Sequence, residues 1–431
     1  MPRSLADWLR DIEGRHPREV DLGLERVREV AGRLGLGRPG RFVATVGGSN
    51  GKGSTVAFIE AIAAASGHRV GAYASPHLRA YNERVRIDGT DAGDADLVAA
   101  FEAVEAARGA TTLTYFEYGT LAALWLFERA GLDLAVLEVG LGGRLDAVNL
   151  VDPDVAVITT VDLDHMDWLG PDREAIGAEK AGIARPWTPL VLGEDDPPSS
   201  VLGHAYAIGA SAIRAGSDYR FGREQGAAVW WWREPGFELE LPLPGLAAPA
   251  QLRNAAAAIA ALRALDLEIE RGAWARGVAG ARAPGRLQRV QRGGVEVLVD
   301  VGHNPQAARA LEEWLAQQPP ARTVAVYGAL ADKDAAGVVA ALAGRVDAWH
   351  LAGLADAGAR GRDAAALADA LARTPAADAP RHADVAAALA AALRDADPGG
   401  RVLAFGSFHV AAAALDWLER GDSEAGADGA V

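Results

Sequence analysis

The residues best suited to chemistry form a glycine-rich segment with one lysine, residues 47–55 (GGSNGKGST), between a β-branched apolar run and an amphipathic run. Its glycines permit backbone conformations in which successive N–H groups converge on phosphate oxygens, and a helix start adds partial positive charge. Lys52 would neutralise the β and γ phosphates, and Ser54 or Thr55 could offer a hydroxyl to Mg²⁺. The segment therefore predicts ATP binding. The expected nucleotide contacts here are Ser49, Asn50, Gly51, Lys52, Gly53 and Ser54.

This segment departs in two ways from the ordinary phosphate loop, G-x-x-x-x-G-K-[ST]. Gly53 separates Lys52 from the hydroxyl residues, and Gly47 stands four positions before Gly51. A plain glycine-rich turn with a surface lysine is the alternative interpretation. The strand expected before the segment and the helix expected after it argue against that alternative, because together they build an anion site.

Three further polar residues lie in or beside predicted elements. Glu138 ends an apolar run and precedes a glycine-rich turn, and His165 follows the next apolar run. In a parallel sheet both positions fall at the carboxyl edge, where ligands bind. For His165 the alternative is an ordinary loop or helix-capping histidine. Lys180 lies in a predicted helix, residues 173–184, where a solvated lysine is the usual case.

The elements that must position these residues alternate along the chain. Short apolar runs are separated by amphipathic segments, which predicts mostly parallel sheets covered on both faces. We expect an α/β protein with an N-terminal P-loop ATPase-like domain, containing a mostly parallel sheet and a small antiparallel section, and a C-terminal Rossmann-like α/β domain. The main predicted parallel strands are residues 41–46, 69–74, 133–139, 154–160, 188–192, 296–301, 323–328, 348–351 and 402–406.

A break at residues 283–286 (APGR) places the domain boundary, so the predicted domains are residues 1–282 and 283–431. The antiparallel section is predicted at residues 219–241. It includes three consecutive tryptophans, Trp230 to Trp232, which could form a ligand platform. An amphipathic strand with one buried face is the interpretation that we favour.

Composition limits the classes of function. A formal net charge of −15 argues against a nucleic-acid partner, and the absence of cysteine excludes disulfides and thiolate chemistry. The charged N-terminal segment lacks the apolar stretch of a signal peptide, and no run approaches 18 uncharged apolar residues. We therefore expect a cytoplasmic enzyme with no membrane partner.

Several motifs, taken in order, resemble those of one family. The N-G-K-G-S-T loop with its extra glycine is similar to the variant loop of the Mur ligase superfamily. The other segments resemble the family of folylpolyglutamate synthases and their bifunctional dihydrofolate synthase/folylpolyglutamate synthase form, over residues 20–418. They are residues 75–78 (SPHL), 115–120 (YFEYGT), 137–146 (LEVGLGGRLD), 163–165 (LDH), 179–183 (EKAGI), 284–286 (PGR), 300–305 (DVGHNP) and 405–409 (FGSFH).

The resemblance implies a ligase reaction. ATP phosphorylates a carboxylate, and the amine of L-glutamate attacks the acyl phosphate, giving an amide, ADP and phosphate. Such chemistry needs cations, metal ligands and orienting groups and no covalent intermediate on the enzyme. By resemblance Ser75, Glu138 and His165 hold a second Mg²⁺, beside the first at Ser54. Lys180 would be carbamylated by CO₂, and with Glu138 and His165 it completes the predicted catalytic set.

The resemblance also assigns residues to each ligand. Asn254 would bind the adenine, Arg286 the phosphates and Asp300 the ribose, with ATP between the two domains. His303 and Ser407 resemble glutamate-binding positions. The positions that match pterin contacts are Asp21, Leu22, Gly23, Thr114, Leu145, Asp146 and Ala147. For Asp21 an N-cap of a helix over residues 22–34 is the alternative.

The pterin positions favour the bifunctional enzyme, acting on dihydropteroate and on reduced folates, over a synthase confined to polyglutamation. A cell-wall Mur ligase is the next alternative, but only 46 residues precede Gly47, too few for a UDP-sugar-binding domain. A nucleotide-dependent switch without ligase activity would not need Glu138, His165 and Lys180. We expect a monomer.

Overall fold

The computed structural model describes residues 3–18, 20–246, 248 and 250–427. The chain forms two compact units, one of residues up to 245 with residues 251–282, and one of residues 246–250 with those from 283 onward. The small segment 246–250 departs from the single predicted boundary near residue 283, because Ala248 packs against the core of the second unit.

The first unit is built on an eight-stranded sheet with a separate three-stranded sheet. The large sheet has the order β4-β3-β2-β5-β1-β6-β7-β8, with the antiparallel pairs β2–β3 and β3–β4 at one edge and parallel pairs elsewhere. Its strands are β1 (Phe42–Gly47), β2 (Val70–Tyr73), β3 (Val85–Ile87), β4 (Thr90–Asp91), β5 (Leu134–Glu138), β6 (Val155–Ile158), β7 (Pro189–Leu192) and β8 (Ser211–Arg214). The antiparallel sheet contains β9 (Arg220–Gly222), β10 (Val229–Glu234) and β11 (Phe237–Pro242).

Helices cover this sheet because β5 and β6 are buried along their whole length and β1 is buried after Phe42, as continuous runs of valine, alanine and leucine require. The helices are α1 (Leu5–Glu13), α2 (Glu25–Leu34), α3 (Lys52–Ala65), α4 (Asp94–Arg108), α5 (Tyr115–Ala130), α6 (Met166–Leu169), α7 (Arg173–Ala181), α8 (Ser199–Ile208), α9 (Ala250–Ala264) and α10 (Arg271–Gly280). Short 3₁₀ turns lie at Tyr81–Arg84 and Ala147–Leu150.

The second unit has a six-stranded sheet in the order β12-β13-β17-β14-β15-β16, parallel except for the pair β12–β13. Its strands are β12 (Gln288–Arg292), β13 (Val295–Val299), β14 (Thr323–Tyr327), β15 (Ala348–Ala352), β16 (Arg381–His382) and β17 (Arg401–Phe405). Its helices are α11 (Pro305–Ala316), α12 (Ala335–Leu342), α13 (Ala364–Ala370), α14 (Val385–Asp395) and α15 (Phe408–Ala427), with a 3₁₀ turn at Gly358–Arg360. The predicted α/β fold class is confirmed.

Two helix boundaries differ from the prediction in ways that affect the site. Helix α2 begins at Glu25 after Leu24, so the alternative role of Asp21 as its N-cap is wrong. The cause is that Gly23 donates its N–H to the carbonyl of Leu145 at 3.2 Å, which keeps this stretch out of the helix. The amphipathic run after the phosphate loop predicts a helix over residues 54–65, but α3 begins at Lys52, inside the loop.

The tryptophan strand has the predicted single buried face. In β10 Trp230 and Trp232 are buried, whereas Trp231 between them is partly exposed. The Trp232 ring stacks on Tyr219 at 5.8 Å, and its Nε1 donates to Ala256 O at 3.1 Å. These tryptophans serve packing, and the ligand-platform alternative is not supported. Within the described ranges no helix is long and apolar enough to cross a membrane.

Candidate active site

The phosphate loop joins the end of β1 to the start of α3 and takes a shape that only glycine allows at two positions. Gly48 and Gly51 have φ angles of 146° and 88°. A Cβ on the first would overlap the hydroxyl of Thr159, and one on the second would overlap the amide of Asn254. This tight cradle at a helix N-terminus fits a phosphate group.

Cationic and hydroxyl groups accompany the cradle. Lys52 Nζ lies over the loop and donates to the carbonyls of Gly48 and Ser49, at 3.0 and 3.4 Å. Ser54 is buried in the first turn of α3, and Thr55 Oγ1 is buried with no hydrogen-bond partner among the described residues. A lysine and buried hydroxyls at this place are groups that a magnesium–nucleotide complex requires.

Glu138 lies beside the phosphate loop because β5 pairs with β1 in parallel, with Glu138 opposite Val46. Its carboxylate is buried and accepts the backbone N–H of Ser75 at 3.2 Å. Two of the residues predicted to hold the second Mg²⁺, Ser75 and Glu138, are thus in contact at the carboxyl edge of the sheet. Hard oxygen donors of this kind suit Mg²⁺.

His165 lies on the loop after β6, which is tied to the phosphate loop. Ser49 Oγ donates to the carbonyl of Asp162 at 2.8 Å and accepts its N–H at 3.0 Å. His165 has a left-handed backbone (φ 52°) and precedes α6, but its side chain does not cap that helix. The capping alternative is therefore wrong. The carboxylate of Asp164 lies nearby, with its Oδ2 3.8 Å from His165 Nε2.

Lys180 is buried near the C-terminal end of α7 with only 3% of its surface exposed. The alternative of a solvated helical lysine is wrong. Burial, reinforced by the cation of Lys52, lowers the pKa of Lys180 to about 7, while the nearby carboxylates of Asp164 and Asp146 oppose that shift. A lysine in these surroundings is neutral for much of the time at neutral pH, and it is therefore nucleophilic.

The predicted pterin positions come together through a chain of polar contacts. Thr114 caps α5, its Oγ1 accepting the N–H of Glu117 at 3.2 Å. Arg26 connects Glu117 Oε1 (2.9 Å) with Asp21 Oδ2 (2.7 Å). The hydrogen bond from Gly23 to the Leu145 carbonyl brings the 145–147 turn to the same place, with Leu22 beside it and Ala147 buried at the start of the 3₁₀ turn.

Asp146 is the buried carboxyl of this group. Its Oδ2 accepts the N–H of Leu141 at 2.8 Å and its Oδ1 accepts that of Val148 at 3.0 Å. Burial outweighs these hydrogen bonds and raises the pKa of Asp146 to about 7. A carboxyl group with this pKa can accept a hydrogen bond in one protonation state and donate one in the other.

One residue near these positions was not predicted from the sequence. Arg84 is buried, with 8% of its surface exposed, and its Nε donates to His77 Nδ1 at 2.8 Å. Its guanidinium lies over the rings of Tyr81 and Tyr115, at 5.3 and 5.4 Å. These partners carry no negative charge, which is unusual for a buried arginine. The neighbouring histidine motif and Tyr115 were the available signals, but nothing in the sequence joins Arg84 to them.

Asn254 lies against the phosphate loop within the first unit. It is buried, its Nδ2 donates to Gln251 Oε1 at 3.0 Å, and its amide occupies the space beside Gly51. An asparagine in a helix is commonly exposed on the surface, and that interpretation of Asn254 is wrong here.

The remaining predicted residues belong to the second unit. Asp300 is buried after β13 and accepts the N–H groups of Leu287 (2.7 Å) and Gly302 (2.6 Å). Burial raises its pKa, and the nearby cation of Arg286 opposes that shift. Ser407 is buried, and its Oγ accepts the N–H of Val410 at 3.1 Å. His303 Nδ1 lies 3.1 Å from the carbonyl of Val301.

Among the residues that the structure describes, no three acidic or histidine side chains form a metal-binding group of their own. The oxygen donors that fit Mg²⁺ are the Ser54 hydroxyl in the cradle and the contacting pair Ser75 and Glu138. A magnesium ion here would complete its shell with phosphate oxygens and water, as is usual for this ion.

Comparisons with known proteins agree with this geometry. The family model of the Mur ligase middle domain matches residues 46–262, and that of the Mur ligase glutamate ligase domain matches residues 285–408. The chain is 46% identical over 417 residues to the dihydrofolate synthase/folylpolyglutamate synthase of Escherichia coli, covering 96% of both chains. It is 41% identical to the enzyme of the same name from Haemophilus influenzae, covering 95% of this chain and 96% of the relative.

Solved structures give the same result. The structure of E. coli FolC in complex with DHPP and ADP has a TM-score of 0.92 at 45% identity, with 97% of this chain and 99% of that chain covered. A bifunctional folylpolyglutamate synthase/dihydrofolate synthase with Mn, AMPPNP and L-glutamate bound has a TM-score of 0.89 at 45% identity, with 97% and 98% covered. The chain belongs to the dihydrofolate synthase/folylpolyglutamate synthase family of the Mur ligases, and the prediction of an ATP-dependent ligase is confirmed.

Proposed function

We propose that this enzyme adds L-glutamate to dihydropteroate and to reduced folates, with formation of ADP and phosphate through an acyl phosphate. The observation that carries the proposal is the cluster at one sheet edge. There a glycine cradle with Lys52, the contacting pair Ser75 and Glu138, and the buried Lys180 surround the start of α3. These groups serve to position phosphates and neutralise their charge, which is the main requirement of phosphoryl transfer.

The nucleotide roles follow from the contacts of each residue. Ser49, Asn50, Gly51, Lys52, Gly53 and Ser54 would hold the phosphates. Bound Mg²⁺ supplies charge neutralisation at the phosphate oxygens, with Ser54 on one ion and Ser75, Glu138 and His165 on a second. A solved relative contains Mn together with AMPPNP, which supports a divalent cation at this site. Asn254 would bind the adenine edge, since its amide already lies beside the cradle.

Lys180 is proposed to carry a carbamate. Its low pKa leaves a neutral amine whose nitrogen forms a bond to the carbon of CO₂ and loses one proton to solvent. The product is a carbamate anion that would orient cations nearby. Mass spectrometry under native conditions, and ¹³C NMR after incubation with ¹³C-bicarbonate, would detect the adduct. An enzyme that remains fully active in CO₂-free buffer with an unmodified Lys180 would overturn this assignment.

The pterin is proposed to bind at the turn that carries Asp146. This carboxyl group can accept hydrogen bonds from the amino and ring N–H groups of a pterin, a match for which a carboxylate is well suited. Asp21, Leu22, Gly23, Thr114, Leu145 and Ala147 would complete the pocket. The buried cation of Arg84, with its uncharged partners, suits an anionic group of the substrate.

In the second unit we propose that Arg286 and Asp300 serve the nucleotide and that His303 and Ser407 serve L-glutamate. Asp300 keeps its carboxylate oriented by two backbone donors, which favours a fixed hydrogen-bonding partner such as a ribose hydroxyl. We place the enzyme in the cytoplasm, since its proposed substrates, ATP and folates, are intracellular metabolites, and we propose that it acts as a monomer.

The decisive experiment measures ADP release. We expect release only when ATP, L-glutamate and either dihydropteroate or tetrahydrofolate are all present. Activity on tetrahydrofolate but not on dihydropteroate would identify a synthase confined to polyglutamation. ADP that appears without the acid and the amine, or never appears with them, would exclude the ligase.

A further inference from the structure

Val161, in the loop between β6 and His165, is held by a closed ring of polar contacts. The N–H of Val161 donates to Glu194 Oε1 at 3.0 Å, and its carbonyl accepts from Arg173 Nε at 2.8 Å. Arg173 Nη2 closes the ring by donating to Glu194 Oε2 at 3.1 Å. One arginine–glutamate pair therefore binds both backbone polar groups of a single residue. We call this ring the Val161 clamp.

The clamp is buried on the side of Val161 and Glu194. Val161 is 1% exposed and the side chain of Glu194 is 12% exposed, whereas the side chain of Arg173 is 40% exposed. Arg173 also donates to the carbonyl of Asp196 at 2.9 Å, so its planar guanidinium serves three acceptors at once. A buried backbone group left without a partner destabilises the folded state, so the pair favours this position of the Val161 peptide.

The same strand end is fastened on its other side to the phosphate loop. Thr159 Oγ1 donates to the carbonyl of Asn50 at 2.6 Å, and the carbonyl of Thr160 accepts the N–H of Ser49 at 2.8 Å. Residues 159–162 are thus held between the phosphate loop and the Val161 clamp. His165 lies four residues after Val161, and its own backbone is left-handed. A displacement of the Val161 peptide would therefore also displace the imidazole of His165.

We propose that Arg173 and Glu194 are positioning residues for the proposed reaction, in which they fix the loop that presents His165 to the metal-bearing phosphates. The inference rests on the proposed function. Neither residue was predicted as part of the site, and both act through the backbone of Val161 and not by touching substrate. Residues that orient a metal ligand in this way typically change metal affinity or activity about 10–100-fold when replaced.

The chain offers a matched control on the same helix. Glu174 follows Arg173, and its carboxylate accepts the N–H groups of Ser199 and Ser200 at 3.0 and 2.7 Å. It therefore supports the start of α8, and among the described residues its carboxylate forms no hydrogen bond with the His165 loop. Glu174→Gln should affect α8 alone, whereas Glu194→Gln keeps an acceptor for Val161 but loses the charge that pairs with Arg173.

The first test compares Glu194→Gln and Arg173→Lys with Glu174→Gln in the full-length enzyme. We expect the two clamp variants to need about 10–100-fold more Mg²⁺ for half-maximal ADP release, or to lose kcat by that factor, with KM for L-glutamate nearly unchanged. Glu174→Gln should match the wild type in both quantities. Clamp variants with wild-type Mg²⁺ curves and kcat would overturn the proposal.

The second test does not depend on activity. Hydrogen–deuterium exchange of the peptide covering residues 161–169, in the absence of ligands, should be faster in Glu194→Gln than in the wild type and unchanged in Glu174→Gln. Equal exchange in all three proteins would overturn the clamp even if activity fell. A wild-type enzyme that releases no substrate-dependent ADP would instead refute the proposed function, so the two failures are distinguishable.

Discussion

At Lys180 the fold changes the chemistry of a common residue. Lysine normally titrates near 10.5, but burial close to Lys52 lowers its pKa to about 7. Between these two values the unfolded chain binds a proton that the folded chain does not. The free energy of unfolding should therefore rise with pH from about 7 to about 10.

Replacing this residue tests the assignment. Lys180→Met should raise the thermal stability at neutral pH, because no buried cation has to lose its charge, and it should flatten the rise in stability toward pH ~10. Thermal unfolding in CO₂-free buffer at several pH values measures both effects. A variant with the wild-type pH dependence would mean that another group is responsible.

Asp146 allows a test of substrate binding at a single residue. Asp146→Asn leaves one amide oxygen to accept from Leu141 and Val148, so one backbone donor loses its partner and the pterin loses a carboxylate. We expect KM for dihydropteroate to rise about 10–100-fold, the equivalent of about 1–3 kcal/mol, while KM for ATP changes little. Asp152→Asn, at a side chain that is 79% exposed, is the control. Equal changes in both KM values would indicate general damage to the site.

The residues of the site could be predicted where a local sequence motif includes them. Their burial and their contacts with distant segments could not be predicted. The phosphate loop, Glu138, His165 and Lys180 are visible in the sequence because each belongs to a local pattern. The burial of Lys180 and the contacts of Arg84 depend on segments far apart in the chain. The Val161 clamp was missed for the same reason, since residues 161, 173 and 194 come from three separate segments.

Among the secondary-structure elements, apolar runs predicted the central strands well, whereas the edge strands β3, β4, β8, β12 and β16 were not predicted and two helix starts were misplaced. Each long buried run became a parallel strand within one or two residues of its expected bounds. The start of α2 was misplaced because a tertiary hydrogen bond, from Gly23 to Leu145, competes with the helix. The start of α3 was placed two residues late because glycine at positions 51 and 53 is a weak helix signal, whereas the structure begins the helix at Lys52.

The tryptophan strand β10 provides a prediction for an element. Trp232→Ala should lower the free energy of unfolding by about 3–5 kcal/mol, because it removes a fully buried ring and leaves a cavity. Trp231→Ala should cost far less, since that ring is partly exposed on the opposite face of the strand. Urea unfolding followed by far-UV circular dichroism measures both. If Trp231→Ala instead abolished ligand binding without lowering the free energy of unfolding, the result would support the interpretation of the tryptophans as a ligand platform.

At the scale of the whole molecule, the chain folds into two units, and each unit has its own hydrophobic core. The second unit has its own six-stranded sheet and a continuous apolar cluster that includes Leu298, Tyr327 and Phe405. The break at residues 283–286 predicts a boundary near residue 283, where the second unit's main segment begins at Ala283. The sequence did not reveal that Ala248 packs with the core of the second unit, because the short stretch around it has no periodicity of its own.

This division predicts the behaviour of a fragment. Residues 283–427 alone should fold and unfold cooperatively, but with reduced stability, because the contact of Ala248 with the core is missing.

Mg²⁺ with AMPPNP should raise Tm of the full-length enzyme as the ligand concentration exceeds Kd, since a ligand that binds only the folded state stabilises it by mass action. The fragment lacks the phosphate loop, so its Tm should not change. A fragment stabilised as strongly as the full chain would show that the nucleotide does not depend on residues 47–55, and the assignment of the loop would fail.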